Sequence, residues 1–144
     1  MKYYGQTNQD KYLDENIFRE MKNGTFLDIG AHDGKTFSNT YFFEKERGWK
    51  GICVEPIPGV YEKLEKNRSC ILVNGCISDS SDKETFLKIS GYSEMLSGIA
   101  KNYNQEHLQR IEREIKEYGG KSEEISVQCY RVNDLLNKYN FNTR

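Results

Sequence analysis

The residues best suited to do chemistry stand in three short runs. Asp28-Ile29-Gly30-Ala31-His32-Asp33-Gly34 sets two acids and one histidine around a pair of glycines. Glycines let a ligand come close to the backbone, and a helix that opens after such a turn presents free N–H groups. Glu55 follows 25 residues after Gly30, and an acid at the end of a second strand can accept both hydroxyls of a ribose. Ser78-Asp79 offers short polar side chains, which can meet an adenine edge or simply make a turn. His32 is a candidate general base for removing a proton from a hydroxyl, or a loop residue whose backbone alone faces the ligand. His107 reads as a surface residue in the first turn of a helix.

These runs act together only if the chain brings them to one rim. Thr25 to Ile29 is a short β-prone run that opens into the glycine turn. Phe37, Tyr41 and Phe42 then continue at helical spacing to Gly48, and Trp49 to Glu55 is a second strand stopped by Pro56 and Pro58. Strand, helix, strand implies a parallel pair with a right-handed crossover. Val60, Tyr61 and Leu64 mark a further helix ending near Asn67, and Ile71 to Val73 a third strand that leads to Cys76-Ile77-Ser78-Asp79. Three strand ends on one rim describe a nucleoside-shaped site. Around this unit the spacing predicts a helix over Asp10 to Met21, strands over Thr85 to Ile89 and Ile125 to Cys129, and an amphipathic helix from an Asn104 cap to Gly119-Gly120. A short helix begins at Val132.

Three ligand classes compete for such a site. A nicotinamide cofactor favours Gly-x-Gly-x-x-Gly, but His32 stands where the second glycine would admit a pyrophosphate. Gly30 to Thr36 imitates a phosphate loop ending in Gly-Lys-Thr, yet it has three residues between its glycines where that loop needs four, and Asp33 would set a carboxylate against the phosphates. S-adenosylmethionine has a ribose, an adenine and a sulfonium cation, carries no phosphate, and fits the acids best.

Composition narrows the class further. Lys plus Arg total 21 against 22 Asp plus Glu, a net charge of -1, without the basic excess that nucleic-acid binding needs. No apolar run reaches the roughly 18 residues of a membrane span, and the N-terminus has no apolar signal core. The expectation is one soluble, cytoplasmic domain with no nucleic-acid or membrane partner. Cys53, Cys70, Cys76 and Cys129 lack Cys-x-x-Cys pairing, and neither histidine stands at ligand spacing from a cysteine. Reduced, buried thiols and no metal site are expected.

Phe26 to Gly34, then Gly51-Ile52-Cys53-Val54-Glu55-Pro56, then Cys76-Ile77-Ser78-Asp79, in that order and spacing, resemble the FkbM-type methyltransferases, a branch of the Rossmann-like S-adenosylmethionine-dependent enzymes. Gly5-Gln6-Thr7-Asn8-Gln9-Asp10 is similar to that family's Ser-Gln-x-Gly-Glu/Gln-Asp segment, departing from it at Gly5 and Asn8. The resemblance covers most of the chain, including the loop around Ser93 and Ser97. It implies an α/β fold, a Rossmann-like three-layer α/β/α sandwich, with residues 1–24 as an N-terminal helical segment and 25–144 as the cofactor-binding part. It implies S-adenosylmethionine as cofactor, held by Asp28, Gly30, Ala31, His32, Gly34, Glu55, Pro56, Ser78 and Asp79, and a hydroxyl of a sugar, glycan or other small molecule as methyl acceptor. In such enzymes a fourth strand with an Asp-x-Glu-Gly element comes next. At roughly 30 residues per βα unit a complete sheet needs on the order of 200 residues, so the expectation is a domain truncated before that strand. A homo-oligomer or a C-terminal complementing chain would then complete it. The competing expectation is a non-catalytic remnant or partner-completed module.

Overall fold

The structure, a computed structural model, describes residues 1–141; the last three residues of the expected 1–144 domain lie outside the described residues. Helix α1 (Gln9–Tyr12) runs into a single π-helical turn over Leu13–Ile17 and stops there, short of the expected end at Met21. Arg19 and Glu20 turn left-handed, with φ of 48° and 60°. The detour is set by packing. Phe18 lies edge-on to Phe43 and Trp49, and the Met21 carbonyl accepts the Trp49 indole N–H at 2.8 Å. Tertiary contact outweighs helical spacing in so short a segment.

Strands β1 (Thr25–Ile29), β2 (Lys50–Val54) and β3 (Ile71–Val73) form a parallel sheet in the order β1-β2-β3. Asp28 pairs with Cys53, and Val54 with Val73. The crossovers are helices α2 (Tyr41–Arg47) and α3 (Pro58–Asn67). The first starts at Tyr41 rather than Phe37, because Phe37 is exposed and left-handed while the Ser38 hydroxyl accepts the Thr40 and Tyr41 N–H groups. Pro58 opens α3 at its first position, where a missing N–H costs nothing. Ile52, Cys53 and Val54 are all fully buried, as expected of a parallel strand covered on both sides. Cys53 packs with Leu64 of α3, whereas Ile52 and Val54 pack with Leu135 of α5 (Val132–Lys138).

The sheet does not continue past β3. At Asn74-Gly75 the chain passes to β4 (Cys76–Ile77), which joins a second, four-stranded sheet in the order β4-β7-β5-β6. Its spine is the antiparallel pairing of β5 (Lys83–Ser90) with β7 (Lys121–Tyr130), joined by β6 (Gly98–Ile99). Both long strands exceed their expected limits, because most of their extra residues, such as Lys83, Glu84 and Lys121 to Glu124, are polar and show no apolar alternation. Helix α4 (Gln105–Tyr118) is capped as expected, the Asn104 side chain accepting the His107 N–H at 2.8 Å. Among the described residues no helix is long and apolar enough to cross a membrane.

Candidate functional site

The carboxyl ends of β1, β2 and β3 meet the start of the second sheet, and a cavity of about 230 Å³ opens there, walled by Gly30, His32, Glu55, Pro56, Ile77, Glu94, Met95 and Ser97 among others. A crevice beyond the carboxyl ends of parallel strands is where open α/β sheets place ligands. The glycine turn is tied down by its own backbone: the Gly30 and Ala31 N–H groups both donate to the Val54 carbonyl, at 2.9 and 3.0 Å. Gly30 has a φ of 75°, and a Cβ built on it would meet nothing within 4 Å. Its open face belongs to the cavity.

Glu55 is the most constrained side chain of the site. It is only 5% exposed, yet Oε1 accepts the His32 N–H at 3.0 Å and Oε2 the Ile57 N–H at 2.9 Å. Its own backbone spans the junction of the sheets, donating to the Val73 carbonyl and accepting from Asn74 and Gly75. Burial pushes its carboxyl above the usual carboxylate range, although the two N–H groups pull the other way. Each oxygen has spent one acceptor site on the backbone and keeps another for a ligand.

His32 is left-handed, with a φ of 54°, a conformation uncommon outside glycine and often held at functional sites. Its Nε2 lies 2.9 Å from Glu94 Oε1. Glu94 belongs to a 3₁₀ turn, Glu94–Leu96, pinned by Ser97, whose hydroxyl donates to the Glu94 carbonyl at 2.7 Å and accepts the Ile89 N–H at 2.9 Å. Ser93 donates to Glu114 of α4 at 2.6 Å. Sequence reasoning missed Glu94, which sits in an irregular loop without periodicity. The only available signal was that the resemblance extended through Ser93 and Ser97.

The other expected site residues divide by position. Pro56 lines the cavity with Gly30, His32 and Glu55. Ala31 is buried against Cys53 and Leu64 instead, and a Cβ on Gly34 would stand 2.5 Å from Leu64 and 2.6 Å from Arg68, so both serve the packing of the turn. Asp28 accepts the Thr40 hydroxyl, and that same oxygen receives the Arg68 guanidinium at 3.1 Å. Arg68 also donates to the Gly34 carbonyl at 3.0 Å and to Glu44 at 2.7 Å. Asp28 thus stands behind the turn, in the network that braces it. Ser78 and Asp79 do not line the cavity: Ser78 donates to Glu84 and Asp79, and Asp79 pairs with Lys101 at 2.8 Å. Gln9 and Asp10 lie apart as well, the buried Asp10 carboxylate taking the Tyr4, Gly5 and Lys11 N–H groups.

The phosphate-loop alternative fails on geometry. Asp33 accepts the Lys35 N–H, the Thr36 N–H and the Thr36 hydroxyl, so the amides a phosphate would need already serve a carboxylate. Burial works against that charge, but these hydrogen bonds hold Asp33 below the usual carboxylate range. All four cysteines are free thiols. Among the described residues no group of His, Cys, Asp and Glu is arranged to hold a metal ion.

Comparison with known proteins bears on the same region. No curated protein and no solved structure matches the chain. One family does, the Methyltransferase FkbM domain, over residues 28–144. That span starts at Asp28 beside the glycine turn and takes in every wall of the cavity, and the chain belongs to the FkbM methyltransferase family.

Proposed function

We propose that the chain binds S-adenosylmethionine in the cavity at the strand ends and directs its methyl group to a hydroxyl oxygen of a sugar, glycan or other small molecule. The observation that carries this is Glu55, a buried carboxylate fixed by two backbone N–H groups beside the open face of Gly30. Two acceptor oxygens held at that spacing suit a ribose diol. The lining fits the rest of the cofactor: it includes the carboxylates of Glu55 and Glu94 and no Lys or Arg, which favours a cationic ligand over a phosphorylated one. When bound, S-adenosylmethionine supplies a methyl group on a positively charged sulfur. The chain holds the ligand in place, and positioning supplies much of the acceleration.

In this reading His32 is the base. A carboxylate has no donor, so the proton between His32 and Glu94 sits on Nε2 and leaves the Nδ1 lone pair free. Nδ1 would take the acceptor's hydroxyl proton while the methyl group leaves sulfur for that oxygen, and Glu94 would stabilise the resulting imidazolium. The Rossmann-like three-layer sandwich belongs to the same proposal, supported by Leu64 of α3 and Leu135 of α5 lying against opposite faces of the parallel sheet. So does a cytoplasmic setting, where free thiols such as these four are the resting form.

Calorimetry with S-adenosylmethionine tests the assignment. Glu55→Ala is expected to weaken binding by roughly 1–3 kcal/mol, the cost of leaving hydrogen-bonding groups unpaired. Unchanged affinity would remove Glu55 from the ribose. A second reading, a module that binds the cofactor without turnover until a partner completes it, is favoured by one observation: among the described residues β1 pairs only with β2.

A further inference from the structure

The parallel sheet carries a pair of thiols that the proposed reaction does not use. Cys53, fully buried in β2, and Cys70, half-buried one residue before β3, bring their sulfurs to 3.6 Å. A disulfide needs about 2.05 Å, so the sulfurs have roughly 1.5 Å to close. Cys70 also borders an open groove of about 590 Å³, together with Glu44, Trp49, Gly51 and Ser69. One thiol is therefore reachable from solvent and the other lies directly behind it.

We infer that Cys53 and Cys70 are a redox-active dithiol, closed to an intramolecular disulfide by hydrogen peroxide that reaches Cys70 from this groove. The two thiols differ in the required direction. The Cys53 contact holds the Cys70 thiol below its ordinary range despite burial, with help from the Arg68 guanidinium. The contact with Cys70 and then burial push Cys53 up. Cys70 is the attacking sulfur, since the thiolate is the nucleophile. Its electron pair bonds to one peroxide oxygen, the O–O bond breaks, and hydroxide leaves to be protonated to water. The Cys53 sulfur then displaces the hydroxyl group of the Cys70 sulfenic acid, and its proton leaves with that group as a second water. Two thiols are oxidised to one disulfide and one peroxide is reduced to two waters.

The chain contains its own control. Cys76 and Cys129 face each other in register across β4 and β7, but burial pushes their thiols up to about 12 and about 11. They should stay inert under the same treatment.

The experiment is peroxide titration of the full 144-residue chain, trapping of free thiols with N-ethylmaleimide, and peptide mapping by mass spectrometry. The expected product has lost two hydrogens and links the Cys53 and Cys70 peptides, with Cys76 and Cys129 alkylated and dithiothreitol reversing the change. Cys70 should react at least roughly tenfold faster than Cys76 or Cys129. In Cys53→Ser, Cys70 should accumulate as a sulfenic acid that dimedone traps, while Cys70→Ser should give no cross-link. The primary map needs no variant, so a misfolded variant leaves the test intact. Equal reactivity of all four cysteines, or oxidation of Cys70 without a link to Cys53, overturns the inference.

Discussion

On the proposed reading, Glu55 is costly to the free protein and useful to the complex. Its carboxyl titrates above the ordinary value of 4.5 because it is buried. A raised folded value means that folding favours the protonated form: the stabilising contribution is complete below the unfolded value and is lost as pH rises through the folded one. A ligand that donates hydroxyls to the ionised carboxylate reverses that preference. S-adenosylmethionine affinity should therefore fall as the solution is acidified, with a midpoint above 4.5, and Glu55→Gln should flatten the profile. Calorimetry across pH reads this directly, and a wild-type profile flat from neutrality to pH 4.5 would contradict it. The neighbouring dyad separates binding from chemistry. His32→Asn should leave cofactor affinity within a few-fold, because Glu55 is met by the His32 backbone and not by its ring. Methyl transfer should drop by about 10²–10⁴, the usual share of a positioned base. Glu94→Gln should show a smaller loss and a shifted pH–rate profile. Equal turnover in wild type and His32→Asn would return His32 to a backbone role.

At the scale of elements, what matters is how the glycine turn and its neighbours are braced. Gly30→Val should abolish cofactor binding while far-UV circular dichroism stays nearly native, since the added side chain enters open cavity space rather than a core. The strain of a β-branched residue at a φ of 75° adds to that loss. Retained binding would make the turn purely structural. The N-terminal segment is fastened to α2 by a buried ion pair, Arg47 meeting both Asp14 oxygens at 2.8 and 2.7 Å, with the Tyr3 hydroxyl at 3.0 Å. Asp14→Ala should cost about 3–5 kcal/mol in urea unfolding at neutral pH, because it leaves the buried Arg47 with only the exposed Glu20 carboxylate, 3.8 Å away, as a counter-charge. The Arg47 hydrogen bonds hold Asp14 below its ordinary 3.8 in spite of burial. That stabilisation is present above 3.8 and disappears as pH falls through the lower folded value. The gap between wild type and variant should narrow accordingly in strong acid.

For the whole molecule, β1 is one of the edge strands that the two sheets leave open. Among the described residues β1 pairs on one side only, with Ile29 54% exposed at its end, and unpaired strand edges invite a further strand. The purified chain is expected to self-associate, through a second copy or by accepting a complementing chain. Sedimentation velocity paired with a methyl-transfer assay examines both halves of this expectation, an oligomer without turnover. A monomer that turns over substrate would show that β1 needs no partner.

Chain order and local pattern were enough to read three β-strands, the glycine turn between the first strand and its helix, and Glu55 at the second strand's end. Buried parallel strands are short apolar runs, and glycine and proline punctuate them at fixed offsets. The family resemblance rested on the same short runs. Other features depended on contacts between residues far apart in the chain. Asp14 meets Arg47 across 33 positions, and His32 meets Glu94 across 62. Asp28 and Gly34 read as ligand contacts in sequence; the structure adds that Arg68 braces both, donating to the Gly34 carbonyl and to the Thr40 hydroxyl that Asp28 accepts. The break at Asn74-Gly75, which divides one expected sheet into two, follows from β4 pairing with β7. No local periodicity encodes such a pairing, because the energy that selects it comes from contacts formed only when the distant strand arrives.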